Sequence, residues 1–442
     1  MSTSLSASSA SQCDSLTIAN RRVHRARAAC ESGDERLLQT LLEAGASVTT
    51  PAWRGCAVIA ANNNNHKLIE LLIAAGVNVD ERADDDCATP CHRAAENRNE
   101  RVLAALIEAG ANVHAINRWG STPLHLAAGH PNEQLAALLL EAGARVDVSD
   151  LDGITPLHWA AANCKVAVLR ALLAAGADVH AADGDGWTAC HRAAFSGNVA
   201  AMSVLIECGV NVNAGDVQGT TPLLLAAKHG DSVRLLQLLI GAGADVHYAD
   251  VFGTTVCHGA AAYGSESVMR LLIAAGVDLD CADTLARTAC DFAASENDDA
   301  AVLALLLAAG ASCRGSPSPV IGAAARDDYW AALLLVAAGS APCGDGDLDD
   351  HLPQEADRLR WRRLATDADG LQRARRAIQL AGLRAIRERA SEICIALQAL
   401  RLPAPQLCEI VVAACGPFAD GLDFHHVWNL VVAIKHFKDM RD

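Results

Sequence analysis

Apolar positions fall in short paired bursts separated by polar turns. Between 155 and 176, Leu157, Ala160 and Ala161 make an Ala-rich stretch, and Val168, Leu169, Leu172 and Leu173 make a second one that stops at Gly176. Each burst reads as a short helix with one buried face. Pro156, after Thr155, suits a first helical turn, where its missing N–H would be unpaired anyway. Gly176 suits a helix end, where it adopts positive φ without strain. A turn carrying Asp and Gly, as in Asp152-Gly153 and Asp185-Gly186, precedes each pair.

The pattern recurs. Thr122-Pro123-Leu124-His125-Leu126-Ala127-Ala128 returns as Thr155-Pro156-Leu157-His158-Trp159-Ala160-Ala161, thirty-three positions on. Related segments begin at Thr89, Thr188, Thr221, Thr255 and Thr288, and a glycine marker recurs from Gly45 to Gly339, mostly 33 or 34 residues apart. Such a period marks stacked units, each too small to bury its own face. The Thr-Pro-Leu-His and Leu-Leu-x-x-Gly-Ala patterns resemble the ankyrin repeat. The resemblance covers residues 20–342, about ten units at a ~33-residue period, and implies an all-α solenoid with short turn or hairpin fingers. The end units depart from the pattern, as caps do: the first two lack Thr-Pro, and the last is shortened.

Composition agrees with this reading. Only 4% of the 442 residues are aromatic while 51% are hydrophobic, so burial must come from Ala, Leu, Val and Ile. A net charge of −16 argues against binding polyanions over the whole chain. The sixteen cysteines are too sparse for a disulfide scaffold and read as thiols. Residues 1–19 read as a disordered, Ser-rich start without secretory features, and no window is apolar enough to span a bilayer. An intracellular location, cytoplasm or nucleus, is the expectation.

Cys91-His92, Cys190-His191 and Cys257-His258 invite a zinc reading. Register favours packing, because these cysteines take the slot filled by Leu124, Leu157 and Leu223 in sister units, and free Cys behaves as a small buried hydrophobe. Equivalent positions in adjacent units, such as Cys257 and Cys290, are expected too far apart for a disulfide. The histidine ladder His92, His125, His158, His191 and His258 corresponds to the residue that in ankyrin proteins braces the turn through the backbone. No catalytic or nucleotide-binding motif is recognisable, so neither an enzyme nor a cofactor is expected.

In an ankyrin stack, turn tips and the exposed side of each first helix line a concave surface. Those slots hold Arg118, Trp119, Ser121, Leu151, Asp152, Ile154, Trp159, Asp185, Trp187, Arg192, Phe195, Val217, Gln218, Lys228, Val251, Phe252 and Tyr263. Six of the sixteen aromatics fall there, and exposed Trp and Tyr dominate binding hot spots. Trp159 or Phe195 packing between repeats is the bland alternative.

Residues 343–356 read as an acidic linker and 357–442 as a helical module. From Asp357 to Arg389 ten Arg face three Asp and one Glu. That face could take nucleic acid, although a solvated face is preferred. Leu402-Pro403 followed by Leu407 and Ile410 resembles an F-box opening, with Leu407 one position late, and Trp428 lies on a following apolar face. The expected function is a monomeric, non-catalytic scaffold or adaptor binding a protein partner. The alternatives are a ubiquitin-ligase substrate receptor docking through Leu402, Leu407, Ile410 and Trp428, and nucleic-acid binding through the Arg-rich helix.

Overall fold

The structure, a computed structural model, describes residues 25–44, 53, 55–82, 85–163, 165–229, 232–297, 299–312, 320, 323, 326, 328–338 and 367–381. These form an α-solenoid of helix pairs; among them the only β-pairing outside helices is an isolated bridge between Ala182 and Thr188. None of the described helices is long and apolar enough to cross a membrane. The contacts divide the chain into two units, meeting in sequence at Val210 and Asn211.

The first unit begins with a helix over residues 25–32 and its partner Glu35–Glu43. Then come the pairs Cys56–Asn62 with His66–Ala74, Pro90–Glu96 with Glu100–Glu108, Pro123–Ala128 with Glu133–Glu141, Pro156–Ala162 with Val166–Ala174, and Ala189–Phe195 with Val199–Glu207. The second unit contains Pro222–His229 with Val233–Gly241, Val256–Tyr263 with Glu266–Ala274, and Ala289–Ser295 with Ala300–Ala308, followed by Tyr329–Ala337.

Local chemistry sets both ends of each helix. At Thr89, Thr122, Thr155, Thr188 and Thr255 the side chain and the N3 histidine form a capping box, which satisfies donors that no helical carbonyl can reach. The second helices start on polar caps instead: the Asn65, Asn99 and Asn198 side chains accept from Leu68, Val102 and Ala201 N–H. These helices end as the glycine marker requires, with Gly76, Gly110, Gly143 and Gly176 at φ 78°, 82°, 84° and 91°. In the helix Val166–Ala174 the buried residues are Val168, Leu169 and Leu172, against buried Leu157, Ala160 and Ala161 of its partner. Alanine in that partner lets short helices approach closely, so one layer of Leu and Val closes the core.

Cys91, Cys190 and Cys257 are fully buried in the leucine slot of their helices, which is the packing role expected from register. Burial pushes the Cys190 thiol up to about 12, as it does for Cys91 and Cys257. Cys257 and Cys290 are both free thiols.

The loops before the first helices pair with one another. Within a finger, Asp150 Oδ1 accepts the N–H groups of Asp152 (3.0 Å) and Ile154 (2.9 Å), closing a tight turn. Between fingers, the N–H of Arg118, Leu151 and Gly184 donates to the carbonyl of Asp86, Trp119 and Asp152 at 2.8, 3.0 and 2.8 Å. Val251 and Thr284 donate likewise to Gln218 and Phe252, each at 2.9 Å. This register leaves no room for a side chain at the turn: a Cβ on Gly153, at φ 79°, would sit 2.7 Å from Gly184 N. Beyond the repeats, residues 368–381 are helical, Ala374 is fully buried, and Gly370 lies against Leu333 of the helix Tyr329–Ala337.

Candidate functional site

The histidine ladder is buried and serves structure. Thr89 N–H donates to His92 Nδ1 (3.1 Å), which leaves Nε2 as the protonated nitrogen, and it faces the carbonyl of Ser121 at 2.9 Å. His125 reaches Ile154 O at 3.0 Å, His158 reaches Trp187 O at 2.9 Å, and His258 reaches Arg287 O at 3.1 Å. Each bond spans 29 residues and ties a helix start to the next finger. Burial lowers the basicity of all four imidazoles, that of His92 to about 4. Ser121, expected near a turn tip, is buried beneath this bond.

What remains exposed is the finger tips and the free side of each first helix. In the first unit Trp119 is 55% exposed, with the Arg118 guanidinium 5.8 Å from its ring centroid. Leu151 and Asp152 are exposed at the next tip. Trp159 is only half-buried and packs on the neighbouring helix, where a Cβ on Gly129 would meet its ring at 3.1 Å. One indole therefore fills a gap left by glycine, as the bland alternative allows. Asp185 is exposed. Trp187 is half-buried within a cluster: the Phe195 ring lies 5.4 Å away and the Arg192 guanidinium 5.0 Å, while Arg192 also pairs with the buried carboxylate of Asp183. Phe195 keeps 47% of its surface exposed.

In the second unit, exposed Val217, Gln218, Val251 and Phe252 occupy finger tips, and Tyr263 ends a first helix. Lys228 Nζ lies 3.8 Å from the buried Asp250 carboxylate. Lys228, Asp250, Phe252 and Tyr263 border a cavity of about 330 Å³ that is also lined by Gly259, Ala262, Leu285, Phe292 and Glu296. Sequence reading passed over ten of its fourteen lining residues, Gly259, Leu285 and Glu296 among them. The signal was available at Gly259, since the residue after the ladder position is Arg93, Leu126, Trp159 and Arg192 in sister helices and glycine only here.

The C-terminal residues Leu402, Leu407, Ile410 and Trp428 lie outside the described residues. Of the Arg-rich segment, Arg373, Arg375 and Arg376 are described and exposed, on a helix that also carries Asp367 and Asp369 at its start.

Among known proteins, no curated sequence matches the chain. The family model described as ankyrin repeats (3 copies) matches residues 26–117, 106–183, 168–250 and 223–315. Those overlapping stretches run through the capped helix pairs, the zipped fingers and the histidine ladder and cover more than half of the sequence: the chain belongs to the ankyrin repeat family.

Proposed function

We infer that this chain is a protein–protein interaction module, the general role of ankyrin repeats, whose family is typically non-catalytic. We propose that this chain is an intracellular adaptor that binds a protein partner through the finger tips and first-helix faces of residues 118–263. Exposed aromatic and aliphatic side chains at finger tips of both units carry the reading: Trp119, Leu151, Val251 and Phe252 are 55%, 76%, 61% and 53% exposed. The repeat core needs none of them, and apolar residues grouped on one kind of surface position mark interaction sites. The proposal keeps residues 20–342 as the array and 357–442 as a helical module, and reads the helix of residues 368–381 as covering the end of the array; Leu333 against Gly370 supports that.

Affinity capture with mass spectrometry on the full chain tests the reading. The double variant Trp119→Ala, Phe252→Ala is expected to lose the principal protein captured by the wild type, with thermal unfolding nearly unchanged. Undiminished capture by that variant would falsify the proposal.

A further inference from the structure

The cavity in the second unit is lined by a helix that carries glycine where sister helices carry larger side chains. Gly259 lies inside the helix Val256–Tyr263, directly after His258. Its φ is not positive, so nothing in its backbone demands glycine. Mid-helix glycine costs about 1 kcal/mol relative to alanine. Sister helices place Leu126, Trp159, Arg192, Leu225 or Phe292 at this position. A Cβ here would meet Lys228 Cγ at 3.1 Å, so a side chain at this position would press on the lysine stem that lines the cavity.

The walls suit a long side chain with a cationic end. Phe252 and Tyr263, 53% and 61% exposed, offer apolar faces at the mouth, and buried Phe292 lies below. Of the charged lining groups, Arg287 and Lys228 stand against Asp250, Asp283 and Glu296, an excess of one carboxylate. Asp283 is held by Arg287 at 2.8 Å, and Asp250 accepts two backbone N–H groups beside Lys228. Glu296 is the less committed acid: Tyr263 Oη donates to it at 2.9 Å, Arg287 stays 3.7 Å away, and its side chain is 30% exposed. The net charge of −16 on the whole chain favours a basic partner as well.

We propose that the Gly259 cavity receives an arginine or lysine side chain of the protein partner, its aliphatic stem between Phe252 and Tyr263 and its cationic end at Glu296. The proposal rests on the reading of this face as a protein-binding surface. It adds a substrate chemistry: a basic residue flanked by apolar ones, which would cover exposed Val251 and Leu285.

The test is fluorescence anisotropy on the full-length chain with labelled short degenerate peptides whose central residue is fixed as Arg, Lys, Glu or Leu. The Arg and Lys mixtures should bind more tightly than the other two. Gly259→Leu should weaken them about tenfold or more, the range of a hot-spot loss, measured well below the variant's own melting temperature because its Cβ would press on the Lys228 stem at 3.1 Å. Glu296→Gln retains an acceptor for Tyr263 and should weaken the same mixtures without changing the Leu mixture. Equal binding of all four mixtures, preference for Glu, or unchanged binding by Gly259→Leu overturns the inference. Those results leave capture by the Trp119 and Phe252 surface standing, whereas undiminished capture by that double variant brings down the broader reading.

Discussion

The Nε2 of His158 lies 2.9 Å from the carbonyl oxygen of Trp187, the residue that closes the turn of the following finger against Asp183. Its Nδ1 accepts the N–H of Thr155 at 3.1 Å, so a second proton on the ring sets two N–H groups against each other. His125 repeats the arrangement, and so do His92 and His258, each in neutral form because burial disfavours the imidazolium.

Acid should therefore loosen the array before most carboxylates titrate. The folded-state pKa of these histidines lies below the unfolded value of 6.5, for His92 at about 4. As pH falls through 6.5 the unfolded chain takes up protons that the folded chain refuses, and stability drops until the folded pKa is reached. Urea midpoints measured from pH 7 to pH 5 should decline steadily, and His92→Gln, which keeps a capping side chain, should flatten the slope. A level profile across that range would contradict the neutral ladder.

Finger geometry makes a second case. Ala286 sits at φ 60°, where the corresponding Gly120, Gly153, Gly186, Gly219 and Gly253 have φ between 73° and 81°. A left-handed alanine costs roughly 1 kcal/mol or more. Ala286→Gly should raise the thermal midpoint accordingly, and Gly153→Ala should lower it by a larger amount, because its new Cβ would fall 2.7 Å from Gly184 N. Differential scanning calorimetry of the two variants should move in opposite directions.

Asp291 replaces the ladder histidine in the helix Ala289–Ser295. Its Oδ2 accepts from Thr288 N–H at 2.7 Å and Thr288 Oγ1 at 2.9 Å, and burial raises its pKa. A carboxyl with a raised folded pKa loses stability as pH rises through the unfolded value towards the folded one. Asp291→Asn should keep the Thr288 cap and be more stable than wild type at pH 7. Its advantage should shrink as pH falls from the raised folded pKa towards about 4 and be gone below that, where the unfolded carboxyl is protonated too. Urea titrations at the two pH values check the crossover.

The period carried most of the fold into view. Thr-Pro at a helix start, Ala in its middle and Gly at the end of its partner each answer to a local constraint, so Thr155, Pro156 and Gly176 could be placed without knowing a neighbour. Exposure at the tips followed from register, which is why Trp119 and Phe252 were legible. Trp159 and Trp187 were less so, because their burial depends on what the adjacent helix or loop leaves open: Gly129 in one case, Arg192 and Phe195 in the other. The cavity was harder again. It borders Gly259, which differs from its sister positions by lacking a side chain, and an absence offers no chemical group to read.

Trp187 shows how to separate partner contact from packing. Its ring lies 5.4 Å from Phe195 and 5.0 Å from the Arg192 guanidinium, which in turn neutralises the buried Asp183 carboxylate. Removing the indole deletes an aromatic pair and a cation–π contact, each worth about 0.5–1 kcal/mol or more. Trp119 has one such neighbour and is 55% exposed. Trp187→Ala should therefore lower folding stability by about 1–2 kcal/mol, and Trp119→Ala should stay within about 0.5 kcal/mol of wild type. Chemical denaturation of the two single variants measures the difference. If both are equally destabilised, Trp119 belongs to the fold as much as to the surface, and loss of capture by its variant says nothing about a partner.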